Sequence, residues 1–222
     1  HVEAYTAAIS HFTKASYPAG STPVEKAGVM VGKIKTDSQT RKKYTEGWYF
    51  VPIPDNLLRY TGASVTITAD AWSYAIAIVE QVKQQTGDNE FEMVGWVHSH
   101  PELGVFMSGY DTFIHHNYFD TDGMIALVVD PRVGAKEDVY PRSGFFSTGA
   151  TGTPQPIQVG IAPRLHKGYW TVGGDSMKYS ARSQKDISEL EGISKLLQTI
   201  PVPEAPYDNT LVMDGVTYQK TR

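Results

Sequence analysis

Residues 98–111 read His-Ser-His-Pro-Glu-Leu-Gly-Val-Phe-Met-Ser-Gly-Tyr-Asp. Two imidazoles, a hydroxyl and a carboxylate thus fall within a single short run. The apolar stretch before it, Phe91 to Val97, reads as a strand. Alternate side chains of a strand share a face, so His98 and His100 point the same way, as two ligands of one metal must. Pro101 cannot extend a central strand and puts the pair at the strand's mouth, where clefts open. Ser108 to Asp111 is a three-residue step that opens a helix and can return a carboxylate to the same metal. Two neutral imidazoles and one carboxylate leave the fourth tetrahedral position of a zinc ion for water.

Each piece alone has a plainer explanation. A His-x-His pair in a strand is more often structural or solvated than metal-binding. Ser-x-x-Asp at a helix start is a capping box in its own right, with Ser108 at the N-cap and Asp111 at N3. The two readings are compatible, because a cap would hold Asp111 in place as a ligand. A hydrolytic zinc site also needs a general base outside the ligand set. Glu102 is the nearest acid in sequence, but no period fixes it against the metal. Glu25 opens Glu25-Lys26-Ala27-Gly28-Val29-Met30-Val31-Gly32-Lys33, a turn that feeds an apolar strand. Taken alone, it would be a solvated surface carboxylate.

These motifs resemble the JAMM (MPN-plus) zinc metalloproteases. The family pattern is Glu-x-x-Gly-x-hydrophobic-x-Gly, then His-(Ser/Thr)-His-Pro, six residues, and Ser-x-x-Asp. Glu25, Gly28 and Gly32 match its first part; His98, Ser99, His100, Pro101, Ser108 and Asp111 match its second. Ala126-Leu127-Val128-Val129-Asp130-Pro131 resembles the strand and Asp-Pro turn that follow in the family, so the match covers roughly residues 20–135. The resemblance implies Zn2+ held by His98, His100 and Asp111, Glu25 as general base and proton shuttle, and Ser108 as a stabiliser of the tetrahedral intermediate. It also implies a peptidase or isopeptidase acting after the C-terminal glycine of ubiquitin or a ubiquitin-like protein. Two alternatives stay open: a non-catalytic MPN scaffold subunit, and a zinc peptidase or amidohydrolase of small substrates.

The elements that must position these residues can be read coarsely. Strands are expected at Gly28 to Ile34, Gly47 to Ile53 and 124–129, and a helix at 69–86 with Trp72, Ala75, Ile76, Val79 and Val82 on its apolar face. Residues 3–16 fit a helix or a strand. His115 and His116 fall on the motif helix, His115 on about the face of Asp111, and Trp96 reads as core. The order implies an α/β fold with a mixed sheet sandwiched by helices; the resemblance makes it MPN-type (cytidine-deaminase-like). The distance from Glu25 to His98 leaves room for an insertion around residues 35–68. A loop- and strand-rich extension follows. It carries strand candidates at Phe145-Phe146, Ile157 to Ile161 and Tyr169 to Val172, a polar helix at about 183–198, and a hairpin over Leu211 to Tyr218 with an Asp-Gly turn. One domain over 1–200 is expected, with 201–222 as a hairpin or tail packed on it.

Composition bounds the rest. A chain of 222 residues can bury a full core. A net charge of −4 and thirteen scattered tyrosines give no sign of a nucleic-acid groove. Arg41-Lys42-Lys43 reads as a solvated loop. No apolar run approaches the ~20 residues of a membrane helix, and no signal peptide is visible. With no cysteine there is neither a disulfide, a Cys nucleophile nor a Cys-ligated second zinc. A cytoplasmic location is the default expectation. The want of an evident ubiquitin-binding appendage points towards a prokaryotic conjugation or sulfur-carrier system, antiviral defence operons included. The oligomeric state is not legible.

Overall fold

In the computed structural model of this chain, the strand that ends on His98 and Ser99 and leads into His100 lies inside a six-stranded mixed sheet. The structure describes residues 1–13, 16–17, 20, 22–61, 64–134, 141–148, 152–157, 159–160, 210–213 and 216–219. In chain order the strands are β1 (Ala27–Thr36), β2 (Lys43–Pro52), β3 (Leu58–Thr61), β4 (Ser64–Ile67), β5 (Glu92–Ser99), β6 (Ile125–Asp130), β7 (Arg142–Ser147), β8 (Gln155–Ile157), β9 (Thr210–Met213) and β10 (Val216–Gln219). The helices are α1 (Val2–His11), α2 (Ala69–Thr86) and α3 (Gly109–Tyr118). The large sheet runs β2-β1-β5-β6-β7-β8. Its β5 and β6 are parallel and its other neighbours antiparallel. A parallel pair needs a crossover, and α3 lies within this one.

Helices cover both faces of the sheet. On one, Ala4, Ala8 and Phe12 at the α1 end pack on Met30, Phe50, Val94, Val97, Leu127 and Val129. Phe12 is fully buried, and its truncation to Ala should cost about 3–5 kcal/mol. On the other, α2 and the α3 residue Ile114 pack with Phe119 on Val29, Val31, Val51, Trp96, Ala126 and Val128. The open reading of residues 3–16 resolves as a helix as far as His11, and residues 14–15 lie outside the described residues.

The α2 helix starts at Thr68, whose hydroxyl accepts the Ala71 N–H, and stops at Gly87 with φ of 68°. Its buried stripe is Ala71, Tyr74, Ala75, Ile78, Val79 and Val82. Ile76, placed on the apolar face by sequence spacing, is 52% exposed, and Trp72 is only partly buried. The stripe keeps Ala75, Val79 and Val82 of the expected face and is rotated by about a fifth of a turn towards Ala71, Tyr74 and Ile78.

A β-bulge sets the phase of the motif strand. The β1–β5 register shifts between Met30 and Val31, which face Gly95 and Met93. Val94 and Trp96 would share a face in a regular strand, yet they belong to opposite cores. The extra residue turns Trp96, and His98 stacked on it, towards α2 and α3. In β1, a Cβ on Gly28 would lie 2.4 Å from Phe50, and one on Gly32 would lie 1.9 Å from the Glu46 carbonyl. The glycines of the first motif therefore permit the close approach of β2.

The 35–68 region is not a loose insertion. It supplies the end of β1, all of β2, a short 3-10 turn at Asp55–Leu57 and the β3–β4 hairpin. β9 and β10 pair antiparallel, as the expected hairpin does, and its turn at 214–215 lies outside the described residues. So do the strand candidate at 169–172, the helix at about 183–198 and the boundary near 200. Of the candidate at 157–161 only Ile157 belongs to a strand of the sheet, as the last residue of β8, and residues 158 and 161 lie outside the described residues.

Candidate metal centre

The motif strand runs two residues past Val97, so His98 closes β5 from inside it and His100 stands just beyond its end. His100 stays in line because its N–H donates to the Val129 carbonyl of β6 (2.8 Å). Ser99, between them, faces the opposite way. Its Oγ accepts the Tyr17 hydroxyl at 2.7 Å and the Lys26 N–H at 2.8 Å, tying the strand to the residue after Glu25.

Asp111 arrives from the first turn of α3 by a capping box. Ser108 Oγ accepts the Asp111 N–H (3.1 Å), and Asp111 Oδ2 accepts the Ser108 N–H (2.7 Å). The plainer reading of Ser-x-x-Asp is thus correct, and the cap leaves the carboxylate placed so that it could also serve as a ligand. The same carboxylate reaches His100 Nε2 with Oδ2 (3.2 Å) and His98 Nε2 with Oδ1 (3.5 Å). The two Nε2 atoms are 3.1 Å apart.

This geometry can be tested against a metal. A tetrahedral zinc with bonds of about 2.0–2.2 Å has ligand–ligand edges of about 3.3–3.6 Å. The three separations cluster around that edge. The donors are two imidazoles and a carboxylate, all buried, the set that suits zinc with a position left open. His98, His100 and Asp111 therefore fit a metal ion.

Glu25 stands beside this group. Its Oε1 lies 3.6 Å from His100 Nε2, and its Oε2 accepts the Val65 N–H of β4 at 3.0 Å. The hairpin that delivers this N–H is also tied to α3, through a hydrogen bond between the Thr66 and Tyr110 hydroxyls (2.9 Å). Glu102 does not join the site: its carboxylate accepts the Gly134 N–H instead (2.7 Å).

The electrostatics separate the two carboxylates. Burial raises the pKa of Glu25 to about 7; His100 and the Val65 N–H oppose the rise, and Asp111 adds to it. Burial also works against the charge of Asp111, but hydrogen bonds from His100 and His98 hold it far below the usual carboxylate range. Burial lowers His98 below an ordinary histidine. In His100 burial acts the same way, but Asp111 and Glu25 outweigh it and raise the pKa. A dication at the centre would favour the deprotonated form of every group here.

Behind His98 lies an aromatic stack. Trp96 lies on His98 with ring centroids 4.1 Å apart and planes 14° off parallel. Its indole N–H donates to His115 Nδ1 (3.2 Å). His115 is buried, and burial, then the His98 charge, lowers its pKa to about 4, so it acts as a neutral acceptor. It is a supporting residue one helical turn behind Asp111, and His116 is exposed. Phe106 packs on His100 at 4.8 Å and is itself 45% exposed, so it covers that ligand on the outer side.

Sequence reasoning had no access to the Val65 N–H, because any residue but proline supplies one. Trp96 and His115 were each noticed, but no spacing rule pairs a strand residue with a helix residue nineteen positions on.

A family model described as JAB1/Mov34/MPN/PAD-1 ubiquitin protease matches residues 1–122, more than half of the chain. The chain belongs to that family, and its mixed α/β fold is that of an MPN domain. It is 31% identical over 134 residues to COP9 signalosome complex subunit 5 of Candida albicans, covering 60% of this chain and 20% of that protein. It is 28% identical over 144 residues to 26S proteasome non-ATPase regulatory subunit 14 of Caenorhabditis elegans, covering 64% of this chain and 40% of that one. The Drosophila melanogaster counterpart is 27% identical over 139 residues, covering 62% and 41%. The matches thus span well under half the length of these relatives. No helix among the described residues is long and apolar enough to cross a membrane.

Proposed function

We propose that this chain is a zinc-dependent peptidase of its family, cleaving after the terminal glycine of a ubiquitin-like protein, in a conjugate or a precursor. The observation that carries the reading is the convergence of His98, His100 and Asp111 at tetrahedral spacing with Glu25 beside them. Two of the relatives are named as subunits of the COP9 signalosome and the proteasome, and the family description names ubiquitin, which supports that substrate class.

In this reading His98, His100 and Asp111 hold the ion. Bound zinc would supply Lewis-acid polarisation of the scissile carbonyl and acidify a bound water towards a pKa of about 7. Glu25 takes the water's proton at Oε1, the oxygen that the Val65 N–H leaves free, and later returns it to the leaving amine. Ser108 accepts the Asp111 N–H with its oxygen and keeps its own proton to donate to the developing oxyanion. Glycine at the scissile end suits a buried centre, because no side chain obstructs approach. A cytoplasmic home and a place in a prokaryotic conjugation or defence pathway belong to the same proposal.

The test sets a ubiquitin-like fusion against its isolated C-terminal peptide at equal concentration, with and without a chelator. Chelator-sensitive cleavage, much faster on the fusion, is expected, since affinity drawn from the folded modifier contributes to transition-state binding. Equal efficiency on both would favour a small-substrate peptidase. A zinc-loaded protein that cleaves no fusion would favour the scaffold reading.

A further inference from the structure

Among the described residues, three that are not glycine adopt a left-handed backbone: Arg41, Glu102 and Arg132. Arg41 lies in an exposed turn between β1 and β2. The other two flank the metal centre, Glu102 at φ 64° and Arg132 at φ 53°. Residues with a Cβ adopt this region at a cost and persist there only when the surroundings hold them.

Both are held by one atom. Asp130 Oδ1 accepts the Glu102 N–H at 2.9 Å and the Arg132 N–H at 2.9 Å. Asp130 is the last residue of β6 and is buried. A charged acceptor makes these bonds strong, and burial makes their loss costly. The clamp sits where the two parallel strands end side by side, with the His100 N–H on the Val129 carbonyl one residue before it. The loop pinned at Glu102 is the connection between the ligand pair and the third ligand. It leaves His100, turns at Leu103, whose N–H returns to the His100 carbonyl, and delivers Ser108 and then Asp111. Gly134 donates to Glu102 Oε1, so the loop after β6 is fastened to the same turn.

We propose that Asp130 is a positioning residue of the metal centre: by holding Glu102 and Arg132 in left-handed conformation, it fixes the course of the loop that brings Asp111 to His98 and His100. The role rests on the zinc reading above. Asp130 donates nothing to the metal and acts only through the backbone of its neighbours. Groups hydrogen-bonded directly to a ligand typically contribute about 10–100-fold to metal affinity, and a residue acting one step further out should fall at the low end of that range.

The deciding experiment compares E102V with E102G in the full chain. Residue 102 is exposed, so neither change disturbs the core. Both remove the same carboxylate and the bond from Gly134. They differ in that glycine adopts the left-handed region freely and a β-branched residue does not. Zinc affinity is read by competition with a chromophoric chelator, and melting curves of the metal-free proteins check folding. E102V should weaken zinc roughly tenfold or more, and E102G should stay within about threefold of wild type. D130A should weaken it as E102V does, while D130N, which keeps an acceptor oxygen, should lose much less. Equal affinities for E102V and E102G would overturn the role, and so would D130A binding zinc as wild type does. A wild-type protein with no measurable zinc affinity would overturn the zinc reading itself, and this role with it.

Discussion

Asp111 and Glu25 approach the same ring nitrogen of His100, at 3.2 and 3.6 Å, from regions built in different ways. Asp111 belongs to one continuous strand–loop–helix unit, and its carboxylate is held by a helix cap three residues away. Glu25 precedes a different strand and is held by the N–H of Val65, forty residues on, in a separate hairpin. The first region gathers positive and hydrogen-bonding partners that keep the acid charged. The second gives its acid burial and a single donor, and its pKa rises to about 7. A metal ligand must stay ionised, whereas a proton shuttle must hold a proton for part of a cycle. Under the proposed roles the two regions would meet these opposite demands a few ångströms apart.

Breaking the first region should have the largest effect. The His98→Ala/His100→Ala double variant is expected to lose its zinc, as measured by metal analysis of protein purified without added metal. Zinc still present at one equivalent would show that the ion sits elsewhere. Breaking the second should separate rate from metal. Glu25→Gln should lose about 10²–10⁴-fold in turnover while keeping its zinc. If zinc leaves with this carboxylate, Glu25 is a ligand and the contrast between the regions collapses.

The smallest effect sharpens the comparison through pH, in metal-free protein. The folded-state pKa of Glu25 lies above its ordinary 4.5, at about 7. Its neutral form therefore contributes stability that is full below about 4.5 and is lost as pH rises through about 7. Asp111 is depressed, so its contribution is present above the ordinary 3.8 and is lost as pH falls towards its folded value. Melting temperatures should show Glu25→Gln gaining on wild type between pH 5 and pH 8. Asp111→Asn should be the less stable protein at neutral pH, with the gap narrowing below about pH 4. Differences that stay flat across both ranges would mean that neither carboxylate is perturbed as described.

What was legible in the sequence follows the same division. The β5–α3 unit could be read because its chemistry is local: period two brings His98 and His100 to one side, and a capping box places Asp111. The α2 helix and the first two strands of the sheet were legible from periodicity, to within a few residues at each end. The phase of β5 was not, because a bulge leaves no residue signature, and the stripe on α2 was misplaced at Ile76 for want of its packing partners. Glu25 stood out only through family resemblance, since its environment is assembled by a hairpin that polar composition disguised as an insertion. Asp130 is legible as part of an Asp-Pro turn, which accounts for its bond to the nearby Arg132 N–H but gives no hint that the same oxygen holds the distant turn at Glu102.

The stacking of Trp96 on His98 has an optical consequence. Excited indole is quenched by giving an electron to an electron-poor neighbour, and an imidazole becomes a better acceptor on gaining a proton or a dication. The 4.1 Å separation puts Trp96 in direct range of that change. Trp48 lies against His1 and Phe91, and Trp72 against Tyr118 and Phe119, so neither shares a face with the ligands. Filling the centre should therefore change the emission of Trp96, one of the chain's four tryptophans, and a zinc titration can read that change without a label or a substrate.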